Sequence, residues 1–244
     1  MRPMEGRLAL VTGASRGLGA ATALALGKAG AHVVLTARTA GGLEEVEERI
    51  HAAGGTATIA PLDLTENDSI ARLATALAGR WRKLDLLVLN AAMLGTLTPV
   101  PAIDGKELAK LLTLNVTAQQ ALLAAFDPML RASDDAQVIG LTSSVAQRPR
   151  AYWGAYGASK AALETLLLSY GEEMKAISRV RIAIVDPGAT ATAMRARAYP
   201  GEDAATIQQP DDVAAAILRF LSEPFQTGAR FRVAGSARDQ VEAV

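Results

Sequence analysis

The apolar residues gather in short unbroken runs separated by longer mixed stretches. Residues 8–11, 32–36, 56–60, 84–89, 137–141, 181–185 and 231–233 are runs of strand length. Leu8-Ala9-Leu10-Val11 has no polar position, the pattern of a strand buried on both faces. Between the runs lie helical segments. Residues 20–29 are stopped by Gly30, and 43–53 by Gly54-Gly55. A third ends near residue 78, with Thr65 and Asp68 resembling its capping box. Residues 106–130 read as one long helix ended by Pro128 and the polar Ser133-Asp134-Asp135. Another runs from the Tyr156 region to about 175, and Pro210-Asp211-Asp212 opens the last, to about 222. Residues 193–209 read as irregular, and the stretch beyond 233 as a polar tail. Strand and helix alternate throughout, which predicts an α/β fold: a doubly wound parallel sheet with helices on both faces.

Length and composition narrow this picture. The chain has 244 residues, half of them hydrophobic, with no repeat or linker to divide it, so a single domain over 1–244 is expected. Lys plus Arg equals Asp plus Glu, and no basic stripe points to nucleic acid. Cysteine is absent, which excludes disulfides and thiolate metal sites. Glu44, Glu45, Glu47 and Glu48 form a solvated helix face, and His32 and His51 stand apart, so no metal is expected. No apolar leader or membrane-length run is present, which gives a cytoplasmic protein with no membrane partner as the expectation.

Candidate chemistry sits at the ends of the strand-like runs. Thr12-Gly13-Ala14-Ser15-Arg16-Gly17-Leu18-Gly19 joins the first strand to the first helix. Free N–H groups and the helix dipole make such a turn an anion site, and glycine lets a pyrophosphate approach the backbone. The second strand ends in Ala37-Arg38, where an NAD site would want an acid. With Arg16, Arg38 could clamp a 2′-phosphate, which favours NADP(H) over NAD. Asp63, after the third strand, could accept from an adenine amino group, and Asn90-Ala91-Ala92 after the fourth fits cofactor contact. Asn115 lies in an apolar stretch and needs partners, either as a structural link or in a water relay. Ser143 follows the fifth strand. Tyr156 and Lys160 stand one helical turn apart, with small residues between, and an ammonium there would lower the phenol's pKa and tune it for proton transfer.

Taken in this order and spacing, Thr12-Gly13-x3-Gly17-x-Gly19, Asn90-Ala91-Ala92, Asn115, Ser143, Tyr156-x3-Lys160 and Pro187-Gly188 resemble the short-chain dehydrogenase/reductase family, classical type, over essentially the whole chain. The resemblance implies a seven-stranded parallel Rossmann sheet in the order 3-2-1-4-5-6-7 and a homodimer or homotetramer. It implies a catalytic set of Asn115, Ser143, Tyr156 and Lys160: Tyr156 as the acid/base, Lys160 on the nicotinamide ribose, Ser143 on the substrate carbonyl, and Asn115 fixing a water linked to Lys160. It places Gly13, Ser15, Arg16, Gly17, Leu18 and Gly19 around the phosphates, Asp63-Leu64 at adenine, and Asn90 with Ala91 at the ribose. Pro187, Gly188 and Thr190 would face the nicotinamide, and an arginine in the place of Arg38 is typical of NADP-preferring members.

Two positions depart from the family pattern. Ala92 stands where Gly is common, and Val233-Ala234-Gly235-Ser236 replaces Val-Asp-Gly-Gly. Tyr152-Trp153-Gly154-Ala155-Tyr156 with Ala193-Met194-Arg195-Ala196 looks like a bacterial subgroup of oxidoreductases without a settled substrate. The expected activity is reduction of a carbonyl to an alcohol, or the reverse, by hydride transfer, with residues 190–210 covering a small-molecule substrate. Arg148, Arg150, Arg195 and Arg197 could meet an acidic carrier or a substrate carboxylate, as in a 3-oxoacyl-thioester reductase, or could be solvated loop residues. A non-catalytic NADP-binding sensor or scaffold is the alternative on the same fold.

Overall fold

The computed structural model describes residues 2–66, 68–233 and 240–242. Eight strands form one sheet: β1 (Leu8–Thr12), β2 (His32–Ala37), β3 (Thr56–Pro61), β4 (Leu86–Leu89), β5 (Gln137–Leu141), β6 (Arg181–Asp186), β7 (Ala229–Arg232) and β8 (Gln240–Glu242). Their order is β3-β2-β1-β4-β5-β6-β7-β8. The first seven pair in parallel, as expected. Pro61 is tolerated because β3 is the outer strand and its far side needs no ladder.

The helices are α1 (Gly17–Lys28), α2 (Ala40–Ala52), α3 (Ser69–Ala78), α4 (Gly105–Leu112), α5 (Ala118–Arg131), α6 (Gly154–Met174), α7 (Ala193–Ala198) and α8 (Pro210–Ser222). Alternate strand residues point to opposite faces. Ala9, Val11, Val33 and Leu35 therefore join α1, α2 and α8 in one apolar layer. Leu8, Leu10 and Val34 join α3, α5 and α6 in the other. With both faces covered, β1, β4 and β5 are buried along their whole length. Every βα turn then emerges at the same edge of the sheet, where ligands bind in such folds.

Four local expectations change. Residues 106–130 are α4 and α5 joined by a π turn at Thr113–Thr117, and Pro128 lies inside α5, which runs past it to Arg131. A proline removes one N–H from the ladder, and here that loss does not end the helix. Thr65 and Asp68 form no capping box: Thr65 gives its N–H and hydroxyl to Asp63 Oδ1, at 2.9 and 2.7 Å. Asp68 itself has φ +61° and caps nothing. The nearer carboxylate wins because it closes a turn only two residues long.

Residues 193–209 contain α7, begun by Thr192, whose hydroxyl accepts from the Arg195 N–H at 3.2 Å, and a 3-10 turn begun by Asp203. The tail contains β8, antiparallel to β7 with Phe231 opposite Val241. Ala234, Gly235 and Ser236, at the second departure from the family pattern, lie outside the described residues. Ala92, at the first, has no positive φ, so its methyl causes no backbone strain.

Candidate active site

The tips of β1 and β4 are tied together by one hydroxyl. Thr12 Oγ1 donates to Val88 O at 3.1 Å and accepts from the N–H groups of Asn90 and Ala91, both at 3.0 Å. Asn90 Nδ2 donates back to Thr12 O at 2.8 Å and Gly13 O at 3.2 Å. This knot fixes the glycine turn. A Cβ on Gly13 would stand 2.8 Å from Asn90 Nδ2, and one on Gly19 2.5 Å from the same atom. Gly13 also has φ +65°, a region open to glycine at little cost.

Above the knot, α1 begins with its first turn bare. Arg16 precedes it in an extended conformation, no side chain caps it, and no acidic residue lies in that turn. Its N–H groups and dipole are thus available to an anion. Arg16 and Arg38 are exposed at this rim, and among the described residues neither guanidinium has a hydrogen bond or ion pair. Burial resists ionisation of Asp63, but the two bonds from Thr65 and the Arg38 guanidinium outweigh it and hold the carboxyl below its ordinary range. The Leu18 and Leu64 side chains pack into the two apolar layers, which leaves their backbone for any ligand contact.

Tyr156 and Lys160 lie on α6 where it packs against the segment after β5 that carries Ser143. A Cβ on Gly157 would be 2.9 Å from Val145 O, so glycine permits this close approach. Val145 packs against Tyr156, and Ser143 sits two residues earlier in extended backbone. Lys160 is buried and its Nζ donates to Leu141 O at 2.7 Å, 5.7 Å from the Tyr156 ring centroid. Asn115, inside the π turn, is buried. It accepts from Met93 N–H and donates to Met93 O, both at 2.9 Å, and donates to Ser159 Oγ at 3.0 Å. Its side chain links the loop after β4 to α6, and Gln119 Nε2 satisfies Leu114 O in the same turn at 2.8 Å.

The electrostatics differ from the expected acidified phenol. Burial pushes the Tyr156 phenol well above its ordinary range, and the Asp186 carboxylate acts the same way. Burial also lowers Lys160 to about 8, against the attraction of Glu164. Desolvation wins because the ammonium is itself buried, lies over the ring and points to a carbonyl. The phenol is therefore held protonated.

Pro187, Gly188 and Thr190 follow β6 in a turn pinned at both ends. Asp186 Oδ1 accepts from Gly188 N–H at 3.0 Å, and Thr190 Oγ1 donates to Pro187 O at 3.1 Å. Ala191 N–H donates to Gln208 O at 2.8 Å, so residues 191–207 leave and rejoin the body at one point. Within them, Met194 and Ala198 pack against the cluster of Leu94, Val145 and Tyr156. Tyr199 faces Trp153 at 5.8 Å, and Trp153 meets Tyr156 edge-on at 6.0 Å. Of the loop arginines, Arg195 pairs with Glu202 and Arg150 Nη1 donates to Tyr199 Oη at 3.3 Å, while Arg148 and Arg197 are exposed.

Residues not anticipated complete the surroundings. Glu164, one turn beyond Lys160, is buried; it accepts from Thr142 Oγ1 at 2.6 Å and pairs with Arg230 of β7 at 2.7 Å. The four-residue step from Lys160 was a signal for Glu164, since it puts both on one helix face. Trp153 and Tyr199 carried no such signal. Among the described residues no group of three or more potential metal ligands comes together, and no helix is long and apolar enough to cross a membrane.

Residues 7–203 match the family model described as short chain dehydrogenase. An uncharacterised oxidoreductase of Escherichia coli, YciK, is 32% identical over 223 residues, covering 90% of this chain and 88% of that protein. The structure of a short chain dehydrogenase from Pseudomonas syringae is 38% identical, with a TM-score of 0.88 over 91% of each chain. A short chain dehydrogenase from Escherichia coli, crystallised with NADPH, is 33% identical, with a TM-score of 0.90, covering 95% of this chain and 98% of that one.

Proposed function

Because the chain belongs to the short-chain dehydrogenase family, we propose that it is an NADP(H)-dependent oxidoreductase that reduces an aldehyde or ketone to an alcohol, with Tyr156 as the proton donor. The observation that carries this reading is one junction, Ser143, Tyr156 and Lys160 on adjoining segments past the end of β5, on the same sheet edge as the uncapped helix N-terminus that follows β1. When bound, the nicotinamide supplies the hydride.

The protein's own residues do the rest. The uncapped turn of α1 and the glycines take the pyrophosphate, while Arg16 and Arg38 take a 2′-phosphate. Ser143 Oγ, which has no hydrogen bond among the described residues, is available to hold the substrate carbonyl oxygen. Tyr156 delivers its proton to that oxygen as charge develops there. Burial raises the phenol's pKa and makes it a weaker acid, so proton delivery relies on the Lys160 ammonium, 5.7 Å from the ring centroid, to stabilise the phenolate that forms. Lys160 keeps its charge near neutral pH and supports the proton lost from the phenol, and Asn115 holds the π turn against α6. The molecule acts as a single domain in which residues 190–210 cover the substrate, and it assembles as a homodimer or homotetramer, which sedimentation will read.

The test is a panel of aldehydes and ketones followed by NADPH absorbance, in the wild type and in Tyr156→Phe. The wild type reduces members of the panel; the variant binds NADPH equally well and does not. Comparable turnover in the variant would remove Tyr156 from the chemistry.

A further inference from the structure

We propose that Glu202 occupies Arg195 as a built-in substitute for a substrate carboxylate, so that the crevice takes uncharged apolar or aromatic carbonyl compounds and turns anionic ones away. The inference rests on the oxidoreductase reading above and names its substrate class.

α7 carries two kinds of side chain. Met194 and Ala198 face the Tyr156 cluster, and Arg195 stands between them in sequence. A guanidinium at the edge of a reactive pocket is the natural seat for a carboxylate, because its planar fork matches two oxygens. In this chain the fork is already filled. Arg195 Nε donates to Glu202 Oε2 and Nη2 to Oε1, both at 2.6 Å. The Tyr199 ring covers one face of the guanidinium, 3.7 Å from its central carbon. An exposed ion pair alone contributes little. The two-pronged geometry and the ring beneath it are what hold Arg195 in place.

From the phenol outward the contacts run Tyr156, Trp153, Tyr199, Arg195, Glu202. Inside that chain the wall is apolar: Leu94, Leu97, Val145, Met194 and Ala198. Asp186 adds a negative charge that the phenol already feels. An entering carboxylate must either displace Glu202 or lose its water against this wall, and both are costly. A neutral aryl or alkyl group gains from the same wall by leaving water.

The experiment uses a graded series of neutral aryl and alkyl ketones, each against its carboxylated counterpart; acetophenone and 4-acetylbenzoate are the first pair. The full chain is assayed with NADPH as wild type, Glu202→Gln, and Glu202→Gln with Arg195→Met. Wild type favours the neutral member in kcat/KM by about tenfold or more. Glu202→Gln raises kcat/KM for the carboxylated member about tenfold by freeing the fork, and adding Arg195→Met removes that gain. Equal use of both members by the wild type, or an unchanged ratio in Glu202→Gln, overturns the proposal. Binding to the NADP+-loaded protein, read by tryptophan fluorescence, reports the same ratios without turnover. Failure of every neutral member to bind also overturns the proposal. Neutral members that bind at least about tenfold tighter than their carboxylated counterparts but are not reduced would support the selectivity proposed here and count against the oxidoreductase reading.

Discussion

The two sides of Tyr156 are built by different means. On the cofactor side, the glycine turn, Thr12 and Asn90 are locked by bonds that are mostly to backbone, at strand tips whose register the whole sheet sets. On the other side, residues 191–207 hang from one pairing at Gln208 and are held by side-chain stacks: Trp153 on Tyr199, and Tyr199 on Arg195. The first is over-determined and tolerates almost no added atom. The second can exchange side chains without disturbing a single strand. If the two sides hold cofactor and substrate as proposed, this division would let one scaffold keep its cofactor chemistry while the substrate changes.

The sharpest way to break the comparison is at the residue both sides share. Tyr156→Phe should lower reductive turnover by about 10²- to 10⁴-fold while leaving NADPH affinity unchanged, in steady-state assays and fluorescence titration. Lys160, also at the join, gives a pH test. Its folded value of about 8 lies below the ordinary 10.5, so between those values the unfolded chain holds a proton that the folded one has shed. Raising the pH through that window should stabilise the wild type relative to Lys160→Met by up to about 3 kcal/mol, in urea unfolding at several pH values. On the side proposed for the cofactor, Gly19→Ala drives a methyl into the backbone carbonyl of Gly13 and the Asn90 amide and should cost about 2 kcal/mol of stability or more, with weaker NADPH binding. On the substrate side, Tyr199→Leu should change stability by less than about 1 kcal/mol, shift substrate KM, and leave NADPH affinity alone. A large loss of NADPH affinity in Tyr199→Leu would erase the distinction between the two sides.

The same contrast explains what was legible in the chain. Strand runs, the glycine turn and the spacing of Tyr156 to Lys160 are local signals, and the positions of β1, β2 and β5 follow from them, while the sheet order came from the family resemblance that those motifs carry. What escaped depends on partners distant in sequence. The side-chain partners of Asn115, Met93 and Ser159, lie 22 and 44 residues away. The sign of the Tyr156 shift could not be read from Lys160 alone, because burial of both groups is a tertiary property. Thr65 is a local exception: the carboxylate of Asp63, two residues away, takes its hydroxyl in place of a cap. The loop arginines were ambiguous until Glu202 and Tyr199 claimed two of them.

The Glu164–Arg230 pair has a consequence for the far end of the chain. It reaches from one turn below Lys160 to the seventh strand, with Thr142 on its other oxygen. A chain cut short before Arg230 would leave an orphaned anion in its interior, at a cost of about 3–5 kcal/mol. Replacing Arg230, a residue with no part in the proposed hydride or proton transfer, would therefore be felt at the centre of the molecule.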